Sequence, residues 1–295
     1  MSKNITKKRT KSKTKEAIQT FQELISEDTI QELAMEVGVH DERVRDLPIY
    51  PFTLLMIIGN SLGKEVSLKH LVQCAFEWDL TEKKISSQRL SQQVAERSSA
   101  YFQKLFEALL KKALELPRRV RRKIEKHFGK INILDSTVIR LCSTLLAQYE
   151  GTKGQAAIKL HTRFNLIYLL PEAVIISAGK VHDNKVAPYD RSVDENILNI
   201  MDLGYTDFEE YQAMMERSHD FVVRRKRNAV CKVVMDLTGC HVDWENLYLE
   251  NIEQRYEGEL DVLVQVSNGL IVRMVKYWDK EEKEYYYYFT SLMDS

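Results

Sequence analysis

The sequence predicts an α+β protein with α/β character: a helical domain, then a mixed sheet, then a further β-rich region. Three observations carry this expectation. Through residue 127 apolar side chains recur every three or four positions, as in Phe21, Leu24, Ile25 and then Ile30, Leu33, Ala34, which is the period of an amphipathic helix. From Lys130 the pattern changes to alternation rich in Ile, Val and Thr, the signature of strands. At 295 residues, 44% hydrophobic and 29% charged, the chain is large enough for a sizeable core in two or three folding units.

The first segment, MSKNITKKRTKSKTK, carries seven basic residues and no apolar stretch behind them. It therefore fails as a secretory signal, and residues 1–16 read as a basic disordered tail on an intracellular protein. The longest apolar run, Leu54 to Ile58, is far short of the roughly 20 residues that a bilayer requires, so no membrane partner is expected.

Residues 17–129 read as a helical domain of five or six helices and a candidate DNA-binding unit. Gly38 is placed to end one helix, Pro48 and Pro51 to mark a break, and Ser67 to cap the helix that begins SLKHLVQCAF. The stretch Ile85 to Phe106 resembles the second half of a helix-turn-helix, with Arg89, Gln92 and Gln93 on one face; an ordinary amphipathic helix has the same polar stripe.

Residues 130–228 alternate in a definite order. KINILDSTVIRL is the first strand. AAIKLHTRFNLIY is a second, two-sided strand with Ile158, Leu160, Thr162, Phe164 and Leu166 on one face and Lys159, His161, Arg163 and Asn165 on the other. EAVIISA is a third. A helix over 184–196, the strand ILNIMD, the helix TDFEEYQAMMERS opened by a Thr206/Glu209 capping box, and the strand HDFVVRR follow. The order βββαβαβ is that of an RNase H-like fold. Residues 229–295 add CKVVMDL, NLYLENI, LDVLVQVS, LIVRMVKYW and EYYYYFTSLM, strands unaccounted for by the preceding five and expected to form a separate inserted sheet.

Basic and acidic residues balance at 43 each, so local patches matter more than the total. Residues 118–130 carry seven cations, among them Arg118, Arg119, Arg121 and Arg122, and Arg224, Arg225, Lys226 and Arg227 form a second cluster. Both suit phosphate neutralisation; a solvated turn is the other reading of the second. Cys74, Cys142, Cys231 and Cys240 lack CxxC or zinc-finger spacing, so buried thiols and no cysteine-bound metal are expected.

Two acids each end an apolar strand: Asp135 after Ile133 and Leu134, and Asp202 after Ile200 and Met201. Singly, such residues are commonly turn caps or solvent-facing. Together, on neighbouring strands, they offer hard oxygen ligands suited to Mg²⁺ or Mn²⁺, and a pair of such ions can stabilise the attacking and leaving oxygens of phosphoryl transfer.

The segments IxILDSTVIRL, GxAAIKLHTRFNLxYxxPEAVIISAGKVHDN and MDLGYTDFEEY resemble, in order and spacing, the catalytic half of DDE-class insertion-sequence transposases, of the branch with a β-strand insertion between the second Asp and the Glu. The resemblance extends over nearly the whole chain, including VRDLPIYPFTLL in the helical domain. It implies metal-dependent cleavage and strand transfer of transposon-end DNA, with two Mg²⁺ or Mn²⁺ ions held by Asp135 and Asp202. It also implies DNA as partner, a homodimer on paired ends, and a cytoplasmic, nucleoid-associated place in a bacterium or archaeon.

By the same resemblance Lys159 and His161 lie near the metals and DNA, solvent exposure at a sheet edge being the alternative. The 224–227 cluster lies beside the transposon end, and His182 and Asp183 match a His-Asp pair, for which a helix N-cap role of Asp183 is the physical explanation. Gly204 and Tyr205 are expected to shape the turn after Asp202, Gly for backbone freedom. Trp244 is either core or a stacking platform for an unpaired base.

The third acid of that family comes from a helix with the signature Tyr-x2-Arg-x3-Glu-x6-Lys, which this sequence lacks. Arg255 and Glu259 have the Arg-x3-Glu spacing without the Tyr or Lys, and Glu259 is rejected. The expectation is a truncated chain, inactive by itself. The rival reading is a non-catalytic DNA-binding remnant or regulator of transposition.

Overall fold

In a computed structural model the structure describes residues 16–39, 47–61, 66–82, 85–97, 99–115, 127–193, 196–226, 229–239, 248–249 and 256–293. The basic tail, Arg118, Arg119, Arg121, Arg122, Arg227, Cys240, Trp244 and Arg255 lie outside the described residues. The chain divides into two compact units, residues 1–116 and 117–295.

The first unit contains helix α1 (residues 16–24), α2 (Glu27–Glu36), α3 (Ile49–Ser61), α4 (Leu68–Glu77), α5 (Ser87–Glu96) and α6 (Ser99–Glu115). Ser26, Ser67 and Ser86 open α2, α4 and α5, each hydroxyl accepting the amide three residues on, at Thr29, His70 and Arg89. These bonds satisfy amides that a helix start leaves without partners. Gly38, at φ +73°, follows the end of α2. Pro51 does not break the chain as expected; it sits in the first turn of α3, where a missing N–H costs nothing.

The bundle core gathers Phe52, Leu54 and Leu55 of α3 with Leu71, Leu90, Tyr101 and Leu105. The proposed polar face of α5 is altered by this packing. Gln93 is buried and donates to the Leu47 carbonyl at 3.2 Å, while Arg89 is engaged by Glu96 at 3.3 Å and Gln92 at 3.2 Å. Gln93 is thus a core residue rather than part of a recognition surface.

The second unit is built on β1 (Lys130–Arg140), β2 (Ala157–Asn165), β3 (Leu170–Ala178), β4 (Ile197–Met201), helix α7 (Phe208–Glu216), β5 (His219–Arg224), β6 (Lys232–Asp236), β7 (Leu260–Gln265), β8 (Ile271–Asp279) and β9 (Glu284–Thr290). These form one nine-stranded sheet in the order β3-β2-β1-β4-β5-β9-β8-β7-β6. β1 pairs with β2, and β2 with β3, antiparallel, whereas β1 pairs with β4, and β4 with β5, in parallel.

The four late strands are therefore not a separate sheet, contrary to expectation. They continue the first five through the antiparallel pair β5–β9, with Val222 opposite Thr290 and Val223 opposite Phe289. One core cluster runs across the seam, joining Leu134, Met201, Tyr211, Phe221 and Val223 to Val262, Val264, Met274 and Phe289.

Two further expectations are corrected. No helix spans residues 184–196 among the described residues; only a 3₁₀ turn, Asp183–Lys185, forms there. Pro188 is incompatible with a helix interior, and the segment's polar groups are drawn to the sheet instead. The Pro188 carbonyl accepts from Arg163 at 3.1 Å, and Asp190 takes Lys130 at 2.8 Å. Helix α7 is capped by Asp207, whose carboxylate accepts the amides of Glu209 and Glu210, and not by Thr206. Thr206 uses its hydroxyl on the Leu203 carbonyl at 2.8 Å.

Of the cysteines, Cys74 and Cys231 are buried as expected, but Cys142 is exposed, because it stands just beyond the end of β1. Among the described residues no helix is long and apolar enough to cross a membrane.

Candidate active site

Asp135 lies in β1, and Asp202 immediately follows β4. The parallel register sets Leu134 beside Met201, so the next residue on each strand, Asp135 and Asp202, falls on the same face of adjacent strands. Both acids are exposed. Asp202 occupies the N-cap position of the 3₁₀ turn Leu203–Tyr205, yet its side chain makes no cap hydrogen bond. Neither carboxylate has a hydrogen-bond or ion-pair partner among the described residues. Asp135 stands midway along β1 and not at a strand end as expected, and Asp202 caps nothing, so turn capping accounts for neither acid.

Tyr205 anchors the turn from beneath. Its ring is buried and belongs to the main core cluster, and its amide donates to the Asp202 carbonyl at 3.0 Å. Burial pushes its phenol well above the usual value, with the carboxylates of Asp183, Asp135 and Asp202 adding to the rise. A neutral hydroxyl thus stands within electrostatic reach of all three acids.

The polar face of β2 is turned inward. Lys159 donates to the Val181 carbonyl at 2.9 Å and pairs with Asp183 at 3.2 Å. His161 is completely buried; its Nε2 bonds the Ser177 hydroxyl at 2.8 Å and its Nδ1 lies 3.5 Å from Asp183. Burial, and secondarily Lys159, lower the His161 pKa against the opposing pull of Asp183, so the ring is neutral at physiological pH. Neither solvent exposure nor contact with a DNA backbone describes His161, and the expectation that placed it at DNA is corrected on that ground. Asp183 is no helix N-cap: His182 holds that position, and the Asp183 carboxylate faces Lys159 and His161.

Further along the same face, Lys130 bridges Glu172 at 2.7 Å and Asp190 at 2.8 Å. Asn132 reaches Asn199 at 3.2 Å. Burial would raise the Asp190 carboxyl, but hydrogen bonds from Lys130 and Ser192 and the charge of Arg163 outweigh it and hold the group far below the ordinary carboxylate range.

On β5, Val223 is registered beside Met201, which brings Arg224 into the row of Asp135 and Asp202. Arg224 is exposed, with its guanidinium 4.8 Å from the centre of the Tyr286 ring on β9. A cleft of about 500 Å³ opens here, lined by Leu203, Arg224, Arg225, Lys226, Glu284 and the Tyr285–Tyr287 run. Arg225 lines the same cleft but is buried, its guanidinium 5.6 Å from the Tyr287 ring centre, so Arg224 and Lys226 are the more accessible of the three.

Tyr286 was not singled out from the sequence. The pattern YYYYFT shows a strand, but only the pairing of β5 with β9 reveals which tyrosine meets the cation. Glu259, already rejected, precedes β7, separated from β4 by β5, β9 and β8.

A larger cavity of about 580 Å³ lies at the other end of β4 and β5, lined by Asn196, His219, Asp220 and Ser291 among others. Its acid is already engaged, Asp220 accepting from the Ser291 hydroxyl at 2.7 Å. The edge bearing Asp135, Asp202 and Arg224 is the stronger candidate.

Two adjacent, unengaged carboxylates fit a divalent cation that prefers oxygen ligands. Among the described residues no group of three or more Asp, Glu, His or Cys gathers to complete the coordination. The remaining positions would fall to water, DNA oxygens or other residues.

Residues 126–283, more than half of the chain, match the family model described as the transposase DDE domain. No curated protein matches the chain.

Proposed function

The chain belongs to the transposase DDE-domain family, and we propose that it is a metal-dependent transposase in which Asp135 and Asp202 hold the catalytic ions. The family acts on DNA by cleavage and strand transfer and generally uses divalent metal ions. The observation that carries the residue assignment is the parallel register of β1 and β4, which sets the two exposed acids side by side, without partners among the described residues. The strand order β3-β2-β1-β4-β5 supports an RNase H-like reading of the core, with β6 to β9 as the inserted region.

Two Mg²⁺ or Mn²⁺ ions are the proposed complement, and their chemistry would be to activate water and neutralise charge on the phosphoryl group. The chain's own groups supply binding and orientation. Arg224 and Lys226 line the cleft beside Asp202 and suit a phosphodiester backbone. The Tyr286 ring beneath Arg224 fixes that guanidinium by cation–π attraction. Tyr205, kept neutral, supplies a hydroxyl able to donate a hydrogen bond toward the neighbouring carboxylates. Lys159 serves through Asp183 rather than by touching DNA. The helical unit and the 118–122 cluster are proposed to hold transposon-end DNA, with two copies bringing paired ends together at the nucleoid.

Metal binding and end cleavage test the reading together. The wild-type chain should bind Mn²⁺, followed by the electron paramagnetic resonance of the free ion, and Asp135→Asn and Asp202→Asn should each weaken that binding at least about tenfold. Unchanged Mn²⁺ affinity in both variants would sink the assignment. Binding of labelled transposon-end DNA without cleavage, in Mg²⁺ and in Mn²⁺, favours the non-catalytic DNA-binding reading.

A further inference from the structure

We infer that Asp183, fixed by Lys159 and His161, is a positioning residue that locks the turn presenting Asp202. The inference rests on the proposed role of Asp202 and adds a residue to it that touches neither metal nor DNA.

Two faces of one carboxylate do different things. Oδ1 is turned to β2, 3.2 Å from the ammonium of the half-buried Lys159 and 3.5 Å from Nδ1 of the buried, neutral His161. Oδ2 lies against Gly204: a methyl group added there would sit 2.6 Å from Oδ2 and 3.4 Å from the Asp183 Cγ. The Asp183 side chain is therefore laid flat on the backbone of the turn, two residues beyond Asp202. The requirement for glycine comes from this contact. Gly204 is not among the glycines with positive φ, so the backbone freedom expected of it is not what the position uses.

Each partner is itself held. Lys159 also donates to the Val181 carbonyl at 2.9 Å, tying down the strand exit that leads to Asp183. His161 is oriented by Ser177 at 2.8 Å on the neighbouring strand. Asp183 is also the strongest charged influence on the hydroxyl of the next residue of the turn, Tyr205.

The rest of the turn is held at its far end, by the Tyr205 amide on the Asp202 carbonyl at 3.0 Å, the Thr206 amide and hydroxyl on the Leu203 carbonyl at 3.3 and 2.8 Å, and the Tyr211 hydroxyl on the Tyr205 carbonyl at 3.2 Å; none of these bonds reaches Gly204 or the Asp202 side chain. A side chain used for coordination must be held by groups around it. Asp202 has no such bond of its own, and Asp183 supplies the restraint through the backbone.

Hydrogen exchange and a double-mutant cycle on the full chain decide the matter. Asp183→Asn keeps the volume and removes the charge that Lys159 holds. It should speed exchange of the Tyr205 and Thr206 amides by about tenfold while leaving the β1 and β4 ladder amides protected. Lys159→Met should do the same.

Gly204→Ala should lower the melting temperature in the wild type but far less in Asp183→Ala. There Oδ2 and Cγ are gone and only an ordinary 3.5 Å contact to the Asp183 Cβ remains. Turn amides that exchange at the wild-type rate in Asp183→Asn, or additive effects of Gly204→Ala and Asp183→Ala, would overturn the inference.

A Mn²⁺ titration keeps the two readings apart. Weaker binding in Asp183→Asn, alongside a loosened turn, supports positioning. A wild-type chain that binds no Mn²⁺ removes the metal role of Asp202, while the exchange and coupling results still decide whether Asp183 locks the turn.

Discussion

Asp135 and Asp202 are exposed and without hydrogen-bond or ion-pair partners among the described residues, so their replacement by Asn breaks no packing and should change stability by less than about 0.5 kcal/mol. A loss of Mn²⁺ affinity at an unchanged melting temperature is the expected signature, and calorimetry on the same samples checks it. Arg224 calls for a different measurement. As an exposed cation on an aromatic face, it should contribute about one phosphate contact. Arg224→Ala is then expected to weaken DNA binding irrespective of sequence and to reduce the salt dependence of log K by about one unit of slope. Binding isotherms across a range of salt concentrations read this directly, and an unchanged slope would place Arg224 off the DNA. These two acids were legible because each follows a short apolar run, although Asp135 stands within β1 and not at its end. The sequence cluster Arg224–Lys226 does line one cleft, but which of its cations is buried, as Arg225 is, depends on the packing of β9 and could not be read from the run itself.

At the level of elements, the polar face of β2 shows where alternation misleads. A strand with Lys159, His161, Arg163 and Asn165 on one side reads as solvated on that side, since polar faces usually meet water. Here the segment 181–190 lies over it with matching carbonyls and carboxylates, and His161 and Asn165 are buried. The covering segment was expected to be helical, and its partners lie up to 60 residues away in the chain, as Lys130 and Asp190 do. No local pattern carries that information. The arrangement makes stability depend on acid. Asp190 binds its proton far less readily when folded than when unfolded, so its contribution is complete above the unfolded value near about pH 4 and is lost as pH falls below it. Urea midpoints measured from about pH 6 down to about pH 2.5 should fall steeply below about pH 4 in the wild type and more shallowly in Asp190→Asn. Parallel profiles would assign the acid sensitivity elsewhere. Helix α7 is held differently, by the Tyr211 ring stacked on Phe221 with centroids 4.6 Å apart, and Tyr211→Ala should cost about 3–5 kcal/mol in denaturant unfolding.

Across the whole second unit, the consequential feature is that one sheet runs from β3 to β6 without interruption. The strand content after residue 229 was readable from alternation and turn residues, but pairing partners were not, because register across a seam depends on contacts some 70 residues apart, such as Phe221 with Ser291. An inserted sheet with its own core would be removable, leaving the first five strands folded. The observed core instead crosses the seam: Phe221 and Val223 share a cluster with Phe289, Val262 and Met274, all fully buried. Removing residues 229–295 would strip β5 of its β9 neighbour and expose these side chains, each contributing roughly 1.5–3 kcal/mol through burial. Several such losses exceed the typical 5–15 kcal/mol stability of a domain. The fragment 117–228 should therefore lack a cooperative thermal transition and aggregate through the bare edge of β5, whereas residues 117–295 should melt in a single step. Calorimetry of the two fragments distinguishes the cases, and a cooperative melt of 117–228 would show that β6 to β9 are an appendage and not half of the core.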